Sequence, residues 1–326
     1  YFLQIENDIE NKNYNQYLYS LYQDPMSDGG QWDMAAEIVR KYGIVPKSAM
    51  PDSKHATSSR EMNRILTQNL VNDWTTLTKT SKTSIESAIK LMMDKVYWLL
   101  VGFLGKPPTN FNWTFKSKKK ILTWNDLTPQ SFLERTKFNV NDWVSVIHDP
   151  RKENDYNKYY EVRYLGNTKN QHVGWLNLPM RRVKELTKKS IDDNYSVWFG
   201  CDVGNNWDKK TGIHSPNILK LKEFANIEFN LTKEERLNTY SSLPNHAMVI
   251  QGYHKENDQI KRWKIENSWG DKSGHKGFLL MTDKWFEEYL FQIVVNKKFL
   301  NNEEKISTDQ EAKIIEPWDP LGTLAS

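Results

Sequence analysis

The chain has 326 residues, which is long enough to bury one large hydrophobic core or two smaller ones. Its 38% hydrophobic and 26% charged residues, with a mean hydropathy of −0.74, indicate a soluble globular protein rather than a membrane-spanning one. The net charge is +4, and the single cysteine excludes an internal disulfide framework and suits a reducing compartment.

The chain opens with the spacing of amphipathic helices. Apolar residues recur at helical intervals over residues 1–22 and 60–70. Between these segments, the pair Gly29 and Gly30 predicts a turn. The residues that follow the turn predict a helix that carries Trp32 and ends before Gly43.

Residues 84–104 form the longest helical pattern, and the Gly-Lys-Pro-Pro sequence at 105–108 ends it. The apolar part of this segment, residues 91–104, contains Asp94 and Lys95 and is too short to span a bilayer. No membrane partner is therefore predicted.

From residue 109 the pattern changes to one that favours strands. Apolar and polar residues alternate over 110–115, and less strictly over 142–147 and 159–164. Two short helices interrupt the strands, and each is predicted from a proline in its first turn: 128–135 and 179–190.

Two later strands carry a candidate catalytic pair. His246 opens one apolar run, and Asn267 ends a second run 21 positions later, after a polar turn at 255–258. Paired strands hold these residues side by side, so that the asparagine accepts a hydrogen bond from the imidazole and fixes its tautomer. Trp269 is placed to cover that bond. The alternative is a histidine at a strand start that has only a backbone partner.

Longer motifs extend this pattern over the whole chain. They are Asp-Gly-Gly-Gln-Trp-Asp-Met at 28–34, Val-Trp-Phe-Gly-Cys-Asp-Val-Gly at 197–204, the run 266–289 that begins Glu-Asn-Ser-Trp-Gly, and Pro-Trp-Asp-Pro-Leu-Gly at 317–322. With the Asn-His-Ala sequence at 245–247, they resemble the bleomycin hydrolase / aminopeptidase C family of papain-like cysteine peptidases.

The resemblance implies an α+β papain-like fold in three parts. A helical part is expected over residues 1–108, a strand-rich, barrel-like part that carries the histidine and asparagine over 109–300, and a C-terminal tail in the cleft over 301–326. The implied activity is a cysteine-type aminopeptidase that acts on peptides without a metal or organic cofactor.

The resemblance also assigns roles to individual residues. His246 and Asn267 would be catalytic, with Trp269 supporting them. The segment Gly29, Gly30 and Gln31 would contact substrate, because a backbone without side chains lets a peptide pair with it; the alternative is an ordinary turn before a helix. The other implied substrate contacts are Asn245, Ala325 and Ser326.

The nucleophile is the element that this sequence does not supply. A papain-like site needs a cysteine at a helix N-terminus, with a glutamine before it for the oxyanion. The family pattern places both in a stretch on the order of a hundred residues before Tyr1. Cys201 follows a buried strand and precedes Asp202, whose charge opposes thiolate formation, so a buried apolar role is predicted for it.

Three explanations for the nucleophile remain open. The segment that carries it is a separate bound N-terminal fragment, it is lost, or the protein is a nucleophile-less relative. The last explanation gives the alternative function, a non-catalytic family member that binds peptides or nucleic acid.

The tail has a predicted role in substrate selection. In the family its terminal carboxylate blocks the far subsites and pairs with the free amino group of the substrate. Family members commonly end in a Leu-Ala-like pair, whereas this chain ends with one more residue, Ser326. We expect an active enzyme to remove Ser326 and expose Ala325.

The remaining expectations concern partners and location. The family implies a homohexamer in the cytoplasm. The lysine run at 116–120 is either a solvated loop or a weak nucleic-acid contact. No two histidines are spaced i, i+4 and no cysteine pair exists, so no zinc site is predicted.

Overall fold

The computed structural model describes residues 25–26, 29–162, 172–216, 218–226 and 230–322. The predicted helix over 1–22, together with Asp28, Ala325 and Ser326, lies outside these ranges. The described residues form two compact units, one built on residues 37–138 and the other on residues 29–36 and the described part of 139–322. The sequence-based division at 108/109 and 300/301 stays a prediction.

The first unit is helical with one β-hairpin. Within the described ranges its elements are α1 (Trp32–Tyr42, which begins in the second unit), α2 (Lys54–Thr57), α3 (Arg60–Leu77), α4 (Ile85–Leu104), β1 (Phe111–Ser117), β2 (Lys120–Leu127) and α5 (Pro129–Thr136). The helices predicted over the described part of this unit are confirmed, although α3 runs seven residues further than the pattern over 60–70 indicated.

Helices α3 and α4 pack through a small apolar cluster that includes Leu70, Leu77 and Met92. Burial of these side chains stabilises the pair by about 1.5–3 kcal/mol per residue. Lys95 Nζ also lies 2.5 Å from the buried Asp73 carboxylate. Lys95 on α4 therefore pairs with a buried carboxylate of α3 while its own side chain stays largely exposed. No described helix has the length and apolarity to cross a lipid bilayer.

The hairpin β1–β2 and helix α5 share an aromatic cluster. Trp113 stacks on Phe115 with ring centroids 4.1 Å apart, and Trp124 and Phe132 contact Trp113 edge-on. Helix α5 begins as its sequence predicts, because Thr128 caps it and Pro129 occupies its first position. The lysine run lies at the hairpin turn and is exposed.

The second unit is built on one mixed sheet. Its described elements are β3 (Trp143–Ile147), β4 (Lys158–Val162), β5 (Val173–Asn177), α6 (Met180–Asp192), β6 (Val197–Cys201), β7 (Trp207–Asp208), β8 (Ile213–His214), α7 (Leu221–Ala225), α8 (Lys233–Asn238), β9 (His246–Glu256), β10 (Gln259–Glu266), β11 (Phe278–Thr282), α9 (Asp283–Tyr289), β12 (Leu290–Asn296), α10 (Asn302–Thr308) and β13 (Lys313–Ile315).

Among the described strands, the sheet order is β13-β4-β5-β3-β12-β6-β9-β10-β11-β8-β7. The central strands are almost wholly apolar, and β12 is buried over six of its seven residues. Such runs are expected of strands that are covered on both faces. Helices α6 and α9 supply part of the cover, with Val183, Leu186, Trp285 and Phe286 in the core.

The tail is anchored rather than frayed. Strand β13 pairs in parallel with β4, and Leu321 joins a buried cluster with Ile147 and Phe291. Arg151 binds both carboxylate oxygens of Asp319, at 3.0 and 2.9 Å. Trp318 is 44% exposed, so the side chains that anchor the tail are those of Leu321 and Asp319.

Candidate active site

The paired strands β9 and β10 bring the predicted histidine and asparagine together. His246 is the first residue of β9, and Asn267 follows the last residue of β10. The register pairs Glu266 with Val249, so the start of one strand lies beside the end of the other. Asn257 and Asp258 both have positive φ, the geometry of the tight turn that was predicted between the strands.

A hydrogen bond joins the two side chains and defines the imidazole tautomer. The backbone N–H of Ser268 donates to Asn267 Oδ1 at 2.7 Å, which only an oxygen can accept. His246 Nε2 lies 3.0 Å from the same oxygen and must donate to it. Its proton is therefore on Nε2, and Nδ1 is the nitrogen able to accept a proton.

Trp269 covers this pair as the sequence predicts. Its ring stacks on the His246 ring, with centroids 4.6 Å apart and planes 27° apart. His246 and Asn267 are each only 8% exposed. Water therefore has little access to compete for their hydrogen bond.

A buried carboxylate that the sequence did not single out for function orients the segment that leads to His246. Asp202 accepts hydrogen bonds from Ser242 Oγ at 2.7 Å and from Asn245 Nδ2 at 2.8 Å. Asn245 Oδ1 accepts in turn from the Val203 N–H at 2.9 Å. The one signal of this role in the sequence is that Asp202 directly follows a buried strand.

These contacts bear on the substrate role expected for Asn245. One acceptor position and one donor hydrogen of its exposed side chain are used within the protein, which fixes the orientation of the amide group. Gly30 lies in a single β-bridge, and Gln31 is buried. A Cβ added at Gly30 would meet no atom of the described residues within 4 Å.

Cys201 has the environment of a core residue. It is wholly buried in the main apolar cluster. Burial, and secondarily the Asp202 charge, raise the pKa of its thiol well above the ordinary value. A nucleophilic cysteine needs the opposite shift. Within the described ranges, no three His, Cys, Asp or Glu side chains converge as metal ligands.

Comparison with known proteins places this arrangement in a family. The profile of the Peptidase C1-like family matches residues 1–322. The chain belongs to the Peptidase C1-like family. Relatives of this chain carry the names aminopeptidase C and bleomycin hydrolase. The resemblance drawn from the sequence motifs is therefore confirmed at the level of the family.

Individual members of the Peptidase C1-like family match over most of the chain. Aminopeptidase C of Listeria monocytogenes serovar 1/2a is 38% identical over 310 residues, covering 94% of this chain and 70% of the relative. Bleomycin hydrolase of Gallus gallus is 38% identical over 319 residues, again 94% and 70%.

A solved structure confirms the fold. The crystal structure of pepw from Lactobacillus rhamnosis HN001 (DR20) superposes with a TM-score of 0.94 at 36% identity. The match covers 99% of this chain and 75% of that one. The α+β papain-like fold predicted from the sequence is therefore correct, and this chain corresponds to about three quarters of the length of the proteins that it resembles.

Proposed function

We propose that the protein is a cysteine-type aminopeptidase that removes N-terminal residues from peptides. The observation that carries the proposal is the hydrogen bond from His246 Nε2 to Asn267 Oδ1 beneath Trp269. This pair supplies the base and its orienting group, the two parts of a Cys-His-Asn site that lie in this chain. Membership in a peptidase family supports the assignment.

In the proposed mechanism a thiolate attacks the scissile carbonyl and forms a tetrahedral intermediate. The imidazolium of His246 gives its Nδ1 proton to the leaving amine, and the C–N bond breaks to leave a thioester. His246 then takes a proton from water, which attacks the thioester and releases the acid and the thiolate. Asn267 holds the ring plane throughout, and no metal or organic cofactor enters a step.

We propose that the nucleophilic cysteine lies on polypeptide outside these 326 residues. The raised pKa and the burial of Cys201 argue against its use. The greater length of the relatives supports an additional segment. A denaturing intact-mass spectrum tests this, because a second bound species of about ten kilodaltons is expected beside the 38.5 kDa chain.

The test of function is turnover of a fluorogenic aminoacyl amide by the protein with its nucleophile-bearing segment. We expect thiol-dependent cleavage that epoxide inhibitors block. His246→Gln should lower kcat by about 10²–10⁴, whereas His254→Gln, at an exposed histidine, should leave it unchanged. Peptide binding without turnover in the wild type would replace the enzyme by the non-catalytic alternative.

The anchored tail supports the exopeptidase part of the proposal. Tyr240 Oη donates to the Trp318 carbonyl at 3.0 Å, which ties the tail to the segment that leads to His246. We propose that the terminal carboxylate, at Ser326 or at Ala325 after trimming, binds the substrate amino group. A C-terminal mass spectrum that still shows Ser326 after incubation of the active enzyme would contradict the trimming.

Assembly, location and nucleic-acid binding also remain proposals. Leu91 and Trp98 on α4 are 71% and 63% exposed, which supports a self-association surface and the homohexamer. Analytical sedimentation of the protein in solution tests for the hexamer.

A free, buried cysteine suits the reducing cytoplasm. The exposed lysines of the β1–β2 turn support a weak contact with nucleic acid, which should weaken steeply with added salt.

A further inference from the structure

A series of ring contacts extends from the catalytic histidine into the core. The Trp269 ring contacts the His246 ring, with centroids 4.6 Å apart, and the Trp207 ring, with centroids 4.8 Å apart. Trp207 is stacked on His214 at 5.5 Å with planes only 2° apart, and His214 contacts Trp285 edge-on at 4.7 Å. The motifs that identify His246 gave no signal for Trp207 or His214.

Trp269 depends on these neighbours for its position. It lies in the irregular segment between β10 and β11 and is 42% exposed. Gly270 follows with a φ of +85°, so the local backbone is a turn rather than a paired strand. The two ring contacts of Trp269 within the described residues are with His246 and with Trp207.

The short strands β7 and β8 hold Trp207 and His214 in register. The two residues are directly paired across the strands, and β8 pairs in parallel with β11 through His214 and Met281. Lys209 Nζ lies 5.4 Å from the Trp207 ring centroid. The plate formed by Trp207 and His214 is therefore fixed to the main sheet.

His214 is an unusual choice for a wholly buried position. Its side chain has no solvent exposure, and neither ring nitrogen has a hydrogen-bond partner of acceptable geometry among the described residues. Burial without such partners costs free energy that an apolar side chain would avoid. Desolvation lowers the pKa of His214 to about 4, with a backbone group of Leu280 opposing the shift and His246 adding to it. The ring is thus neutral and packs as a flat aromatic group.

We propose that Trp207 and His214 are positioning residues for His246, acting through Trp269. The β7–β8 plate holds the Trp269 ring against the imidazole, which limits rotation of the His246 plane during the two proton transfers. The catalytic consequence rests on the proposed function, whereas the positional effect does not. Misplacement of a reacting group by about 1 Å can cost on the order of 10² in rate.

The test is the proton resonance of the His246 ring in the full chain, labelled with ¹³C-histidine and assigned with His246→Gln. The stacked Trp269 ring displaces this resonance by its ring current. In Trp207→Leu we expect the resonance to move toward the position of free imidazole. Trp207→Phe, which keeps an aromatic plate, should restore most of the displacement, and His214→Phe should also retain it while His214→Ala should not.

Trp175→Leu is the matched control. Trp175 is a buried indole of the same unit in a different cluster. Its Nε1, like that of Trp207, has no hydrogen-bond partner among the described residues. This variant should lower stability without moving the His246 resonance. An unmoved resonance in Trp207→Leu, or an equal movement in Trp175→Leu, would overturn the proposal.

Turnover gives the second measurement. With the nucleophile-bearing segment present, Trp207→Leu should lower kcat about tenfold with KM unchanged, and Trp207→Phe should recover most of it. A fall in kcat that Phe does not rescue would count against a positioning role. A displaced resonance in a protein that shows no turnover would contradict the proposed function and leave the ring support standing.

Discussion

At the scale of single residues, the site is defined by which atoms can accept and which can donate. The Ser268 N–H identifies the accepting atom of Asn267 as an oxygen, and this oxygen requires the proton of the His246 ring to be on Nε2. The other ring nitrogen, Nδ1, is therefore the one that can accept a proton. Cys201 lies only one strand away, paired in register with His246. Its burial separates it from this chemistry, because a thiol in an apolar core is held in its protonated form.

The first prediction concerns Cys201. Cys201→Ser should leave kcat/KM within about twofold of the wild type, since the thiol takes no part in acyl transfer, while the free energy of unfolding falls by about 1–3 kcal/mol because a hydroxyl is buried without a partner. Aminoacyl amide turnover and urea unfolding measure the two effects. Cys201→Ala, which buries no hydroxyl, is the control for the polar effect. Loss of turnover in both variants would make Cys201 a functional residue.

At the scale of elements, function depends on segments that the sheet holds in place. The segment Gly29–Gly30 and the strands that carry His246 and Asn267 belong to one compact unit. The tail is held to the same unit by Leu321 and by Arg151. Burial alone would lower the pKa of Arg151, but its hydrogen bonds to Asp149 and Asp319 raise it, so the guanidinium stays charged.

A second prediction tests the substrate role of the segment Gly29–Gly30. Gly30→Ala should fold normally, because a Cβ there meets no atom within 4 Å in the part of the chain that the structure describes, and the backbone φ is not positive. If a peptide backbone pairs at this residue, the added methyl group should raise KM about tenfold. Gly252→Ala in β9 adds a methyl group to equally open space and should leave KM unchanged. Identical KM values in both variants would remove Gly30 from the substrate site.

A third prediction tests the anchor of the tail. Asp319→Asn weakens the bidentate contact with Arg151, while Asp149 still neutralises the buried guanidinium. The backbone amides of residues 313–322 should then exchange faster with deuterium, and internal cleavage of blocked peptides should rise relative to aminopeptidase turnover. Asp309→Asn, at the exposed end of α10, should change neither quantity. Faster exchange without a change in that ratio would separate the anchor from specificity.

At the scale of the whole molecule, buried neutral histidines make stability depend on pH. Burial, with a smaller effect of Lys233, lowers the pKa of His148 to about 3, and burial lowers that of His214 to about 4. Both rings bind a proton more readily in the unfolded chain, whose ordinary value is 6.5. The contribution of these two residues to stability is therefore full above about pH 6.5 and is lost as the pH drops toward 4 for His214 and toward 3 for His148.

A fourth prediction follows for His214. Between pH 6.5 and 4 this residue should contribute a slope of up to about 1.4 kcal/mol per pH unit to the free energy of unfolding, or about 3 kcal/mol in total. His214→Phe should remove that share of the slope, and His254→Phe, at an exposed site, should not. Urea unfolding at a series of pH values measures it. Parallel curves for wild type and His214→Phe would contradict the assignment.

The sequence by itself determined the family, the fold class and the pair His246 and Asn267. It could do so because these depend on local patterns: alternating strands, a tight polar turn, and motifs such as Glu-Asn-Ser-Trp-Gly whose residues are adjacent in the chain. The start of helix α5 could be predicted for the same reason, because Thr128 and Pro129 act on the first turn of the helix that they begin.

Only the tertiary structure decided which distant residues support those motifs. Asp202 meets Asn245 across 43 positions, Arg151 meets Asp319 across 168, and Trp207 reaches Trp269 through the pairing of short strands. Hydrogen bonds and ring contacts act over a few ångströms, whereas sequence patterns record only neighbours along the chain. The anchored tail and the plate behind His246 are therefore products of packing, which places residues together that no spacing in the sequence relates.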